Sequence, residues 1–200
     1  MSAEDDIFNA VTRHQIFVLR YARGREIEAE KFIADSMDEV IRRLERDNLT
    51  EFSRDRLQAQ GRDLYEYLLE SGSEYAETLK DNLKQFGEYE AGFCDRMISK
   101  SVEVVLSIPS PGQINQAAFT SLMGIEPSKG YTLGGMIDEF GPAHSSMVFN
   151  QIRQSVVLGD TLDDTIASIT AIIPTQKRKA ATLARTAVNH ISTQARKEVL

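Results

Sequence analysis

Tryptophan is missing from this chain, cysteine occurs once, and only five prolines and twelve glycines are spread over 200 residues. Each shortage excludes something. With Cys94 alone, no intramolecular disulfide can form and no cysteine pair can hold a metal, so any fold must stand on its apolar core. No window approaches the roughly 20 apolar residues that a membrane-spanning helix needs. The opening MSAEDDIFNAVTRHQ carries acidic residues and no long apolar run, which is not the pattern of a secretory leader. A cytosolic assembly compartment fits these absences. What remains is a chain with 42% hydrophobic residues, rich in Ala, Leu, Ile, Glu, Gln, Arg and Lys, with few runs of Val, Ile and Thr between turn signals. The expected fold class is mainly α: an elongated N-terminal helical hairpin or bundle followed by a smaller helical domain.

Apolar spacing gives the expected elements. Ile33, Met37, Val40, Ile41 and Leu44 recur at intervals of three and four in a charged context, which predicts one or two helices from residue 3 to about 47, broken near Gly24. Asn48 to Phe52 reads as a break, Ser53 as an N-cap, and Leu57, Leu64 and Leu68 as the stripe of the next helix, with Ser71-Gly72-Ser73 as a turn. A further pattern runs from Glu74 to about Leu106 through Leu79, Leu83, Phe86, Phe93, Met97, Val102 and Leu106. Long helices joined by short turns bury such stripes as antiparallel hairpins. Residues 1–106 are thus expected as a long-helix bundle. Residues 107–135, with three of the five prolines, are expected as a hinge, and residues 136–200 as a second helical domain. In that last region Met147, Ile152, Val156 and Val157 share a helix that Gly159 can end. Asp160 or Thr161 can cap a short helix carrying Ile166, Ile169 and Ile173, with Pro174 closing it and a last helix starting near Thr175.

Candidate chemistry is thin in this sequence. His14, His144 and His190 have no ligand partner at i+3 or i+4, so no metal site is expected. KGYTLGG lacks the order of a phosphate-binding loop, and Ser145-Ser146 beside His144 are sequence neighbours without a nucleophile elbow. Asp5-Asp6 and Asp163-Asp164 sit where a helix start favours negative charge. No catalytic residue and no cofactor are assigned. Charge is the stronger signal. The net charge is −7, yet residues from Pro174 onward carry Lys177, Arg178, Lys179, Arg185, Arg196 and Lys197 against the single Glu198. The two parts of the chain are suited to different partners. Lys177, Arg178 and Lys179 form a cation cluster at the expected helix start, where the dipole opposes them, and contact with phosphates or an acidic protein surface would offset that cost.

The order Gly159, a polar cap, Asp164, Ile166, a short apolar helix through Ile169, then KAATLARTAVNHISTQARKEVL resembles the core of the Mu F-like minor head proteins of tailed bacteriophages, the phage head morphogenesis family. Leu183, Ala184, Arg185 and Thr186 match the I-A-R-T of that family's A-x-x-I-A-R-T run, and Ala195 and Arg196 its closing A-R. VTRHQIFVLR, with His14, Gln15 and Arg20, is similar to the H-Q-x-x-x-x-R opening of such proteins. Two departures stand out: Ala187 occupies a position where Glu is usual, and the C-x-x-C module that often follows is not in these 200 residues. The resemblance, together with the missing stop signal after Leu200, implies an encoded chain that continues further.

What the resemblance implies is a non-enzymatic component of the virion. Such a protein sits in the capsid interior or at the portal vertex, is assembled in the host cytoplasm without a membrane, and acts in head assembly, DNA packaging and DNA ejection. Its partner is the portal protein oligomer, with the major capsid protein and packaged DNA as further contacts. Lys177, Arg178, Lys179, Arg185, Arg196 and Lys197 are the binding candidates. Gly159, Asp164, Ile166, Ile169, Ala184, Arg185, Thr186, Ala195 and Arg196 carry the structural motif. The rival reading is a helical nucleic-acid-binding protein with a basic C-terminal arm.

Overall fold

A computed structural model describes residues 3–46, 54–101, 116–127 and 130–199, and among these every regular element is a helix. They are α1 (Ala3–Arg46), α2 (Arg54–Ser101), α3 (Gln116–Gly124), α4 (Leu133–Leu158) and α5 (Leu162–Val199). The mainly α class expected from the spacing is what the chain adopts. Asn48 to Phe52, the Ser53 cap, and Val102 and Leu106 lie outside the described residues.

The chain divides into two compact units built from interleaved stretches, whereas the sequence reading divides it contiguously around 107–135. The first comprises Met1–Arg25, Leu79–Gly135 and Ala184–Leu200, the second Glu26–Thr78 and Met136–Leu183. Within the second unit, Gln60 donates to the Arg43 carbonyl, the Arg43 guanidinium lies 4.1 Å from the Tyr67 ring centroid, and Phe32 stacks on Tyr75. Those pairs fix an antiparallel register between α1 and α2. Their stripes supply Ile33, Met37, Val40, Leu44, Leu57, Leu64 and Leu68 to a core closed by Ile137, Val148 and Ile152 of α4 and Ile169 and Leu183 of α5. In the first unit the same antiparallel pairing recurs, with the Tyr21 hydroxyl donating to the Asn82 carbonyl at 2.9 Å and its ring stacked on Phe86. Leu79, Leu83 and Phe86 are buried in that unit, as are Phe119 and Leu122 of α3 and Ala184, Ala187, Val188 and Ile191 of α5.

Three expected breaks are absent, each for a physical reason. Helix α1 passes through Gly24, where one glycine costs only about 1 kcal/mol against the packed stretches on either side. Ser71-Gly72-Ser73 is helical, not a turn, because Gly72 serves a close crossing: a Cβ added there would lie 2.6 Å from the Gly141 Cα of α4. Helix α5 runs through Pro174, whose ring lies on the exposed side, while Ile169 and Gln176 are buried on either side of it. Of the expected hinge at 107–135, residues 107–115, 128 and 129 lie outside the described residues, and the described part contains α3, whose Phe119, Leu122 and Met123 are buried, and the first turn of α4. Val157, expected on the buried stripe of α4, is exposed.

Candidate functional site

Built from its local chemistry, the motif from Gly159 to Ile169 is a corner between two helices of the second unit. Gly159 takes φ +76°, a left-handed conformation that costs glycine nothing, and the N–H groups of Gly159 and Asp160 both reach the Ser155 carbonyl at 3.0 Å. The next helix starts at once. Thr161, rather than Asp160, is its cap: the Asp164 N–H donates to Thr161 Oγ1 at 3.1 Å, while the Thr161 hydroxyl and N–H donate back to Asp164 Oδ2 at 2.6 and 3.3 Å. These bonds hold the Asp164 carboxyl below its ordinary range. Ile169 is fully buried and Ile166 half-buried, so this motif turns the chain and anchors α5.

A buried polar centre lies in the first unit. Glu90 of α2 is fully buried, accepts the Ser192 hydroxyl at 2.8 Å and Arg196 Nε at 3.1 Å on Oε2, and has His14 Nε2 2.8 Å from Oε1. The His14 ring stacks on Phe93, centroids 3.6 Å apart. Burial pushes the His14 pKa down, and the Arg196 and Arg96 charges add to that push against the opposing pull of Glu90. Neutral His14 and a Glu90–Arg196 ion pair are the consistent charge states. Burial, then the Glu90 charge, pushes the half-buried Cys94 thiol up, away from nucleophilic use. The centre thus joins His14 of the N-terminal H-Q motif to Arg196 of the C-terminal A-R pair through one carboxylate. Glu90 escapes the sequence reading although it stands in the stripe itself, four residues after Phe86 and three before Phe93. A carboxylate at an apolar-stripe position is the signal that would have found it.

The other histidines are buried as well. His144 of the second unit lies edge-on to Phe32 and stacked with Phe140, 6.4 Å from each. Burial lowers its pKa despite the nearby Gln176 amide, which itself donates to the Met147 sulfur. His190 of the first unit is lowered by burial and by the Lys197 charge, against the Leu122 backbone.

No protein-family model matches the chain, and no curated protein or solved structure matches it either. Residue placement therefore carries the functional argument. Thr165 through Lys197 contains no Asp or Glu. On the α5 stretch of the second unit Arg178 and Lys179 are exposed and Lys177 half-buried. On that of the first unit Arg185 and Lys197 are exposed and Arg196 turns partly inward to Glu90. Ala184, Ala187 and Ala195 are fully buried on the opposite face and Thr186 is half-buried. Ala187, the departure from the resembled motif, sits where a glutamate would be an uncompensated buried charge. The expected binding residues accordingly separate into four exposed cations, a half-buried Lys177 and one arginine spent on the core.

Among the described residues, no group of three or more His, Cys, Asp or Glu is placed to hold a metal, and no helix is long and apolar enough to cross a membrane. The second unit also contains a cavity of about 220 Å³ lined by Gly61, Phe149, Ile152, Val156, Val157, Gln58 and Arg153.

Proposed function

We propose that the chain is a minor head protein of tailed bacteriophages, a non-enzymatic component that docks on the portal oligomer through the exposed cations of α5. The observation carrying this reading is the composition of that helix in space. In a protein of net charge −7, α5 buries small apolar side chains and presents Arg178, Lys179, Arg185 and Lys197 with no intervening carboxylate. Charges distributed this way favour an acidic protein surface or phosphates and fix the orientation of docking. Support also comes from the resemblance over Gly159 to Arg196, whose parts have separate physical jobs: a helix corner at Gly159 and Asp164, a packed face at Ala184 and Ala195, and a link to the N-terminal motif at Arg196.

The proposed setting is the capsid interior or portal vertex, with major capsid protein and packaged DNA as further contacts. Co-sedimentation of the full chain with its portal oligomer tests the reading. Arg178→Glu, Lys179→Glu and Lys197→Glu together are expected to weaken binding at least about tenfold at physiological salt while leaving helicity unchanged. Portal binding indifferent to this reversal overturns the assigned surface. Tight binding to duplex DNA, with a steep salt dependence and no affinity for the portal, selects the nucleic-acid-binding reading instead.

A further inference from the structure

Within the first unit, α1 carries an apolar stripe that the core does not use. Its buried face is His14, Val18 and Ala22, yet Phe8 is 70% exposed, Leu19 68% and Ile16 44%. At about 100° per residue these three fall with Thr12 inside one sector about 80° wide, and Asp5 and Arg23 lie in the same sector at its two ends. The stripe is confined to this stretch. In the part of α1 that belongs to the second unit, the exposed positions are Glu28, Lys31, Asp35, Asp38, Arg42, Glu45 and Arg46, with Ile27 the one large apolar exception. An outward helical face that changes from charged to apolar marks a place where something else covers it.

The order of residues along the stripe says what that is. From either end it reads charge, large apolar, centre, large apolar, opposite charge. A twofold axis crossing near Arg13 and His14 sets Phe8 of one copy opposite Leu19 of a second, Thr12 opposite Ile16, and Asp5 opposite Arg23. Parallel pairing of the same stripe would instead set Asp5 against Asp5 and Arg23 against Arg23. We infer that this face of α1 is a self-association surface, on which a second copy of the chain packs its own α1 antiparallel through Phe8, Ile16 and Leu19. An isologous contact of this kind closes on itself as a dimer. Asp5 to Arg23 spans about 27 Å of helix, and six large apolar side chains over that length stand at the small end of specific interfaces, so association is expected at micromolar concentration.

This inference does not depend on the portal reading. Analytical ultracentrifugation of the full chain from about 1 to 100 μM tests it, with circular dichroism as the folding control. Wild type is expected to pass from monomer to dimer in that range. Leu19→Glu, present twice per dimer, should raise the dissociation constant at least about 100-fold. Asp5→Arg and Arg23→Asp should each weaken the dimer, and combining them in one chain should restore it, because the opposed pair is then re-formed with signs exchanged. A wild-type monomer at the top of the range overturns the inference, as does a dimer indifferent to Leu19→Glu. Failure of the combined variant to recover overturns the antiparallel register.

Discussion

Replacing Glu90 with alanine is the sharpest perturbation of the first unit's architecture. The carboxylate is fully buried and serves Ser192, Arg196 and His14 together. Its loss strands a hydroxyl and an arginine that reached inward for it. Removing one member of a buried charged pair typically costs about 3–5 kcal/mol, but the Arg196 side chain is 32% exposed and can turn back to water, which lowers the expectation to about 2–4 kcal/mol. Glu90→Gln keeps the volume and one acceptor and should cost less, about 1–2 kcal/mol, while Ser192→Ala should cost about 1 kcal/mol. Urea unfolding followed by far-ultraviolet circular dichroism reads these as midpoint shifts. A Glu90/Ser192 double-mutant cycle should return a coupling of at least about 0.5 kcal/mol. Should Glu90→Ala unfold within about 0.5 kcal/mol of wild type, the polar centre would not be what joins α1, α2 and α5 in this unit.

Two further outcomes follow from packing and titration. Gly24→Ala meets nothing within 4 Å and should stabilise by about 0.5–1 kcal/mol. Gly72→Ala, whose Cβ would press on the Gly141 backbone, should destabilise by about 2 kcal/mol or more, and thermal melts of the two variants should move in opposite directions. The pKa values of His14, His144 and His190 are all lowered from 6.5 in the folded protein, so the unfolded chain binds protons first. Stability is therefore full above that value and falls as pH drops below about 6.5. His144→Phe should remove up to one proton from the slope, at most about 1.4 kcal/mol per pH unit, in urea titrations at stepped pH.

The helical class was legible because one physical cause, burial of a stripe at intervals of three and four, wrote both the sequence pattern and the fold. Leu79, Leu83 and Phe86, or Ile33, Met37 and Val40, show it directly. Glycine and proline misled where they were read as breaks. Gly72 is spent on a helix crossing that involves Gly141, about 70 positions away in the chain, and that long-range partner is invisible in a local window. Pro174 is tolerated because the flanking positions Ile169 and Gln176 are buried, a property of the tertiary structure alone. Of the candidate site, the cationic face of α5 was readable from the absence of carboxylates over Thr165 to Lys197. Arg196 was readable as a cation but not as the partner of Glu90, since the two meet only when α2 and α5 pack.

The central claim, that this chain is a head component docked at the portal, is tested most directly by counting it in particles. Quantitative mass spectrometry of gradient-purified heads should find the chain at low copy, in fixed proportion to the portal subunit, and lost from particles assembled without portal. Particles that contain portal at full occupancy and none of this chain at any stage of assembly would contradict the account.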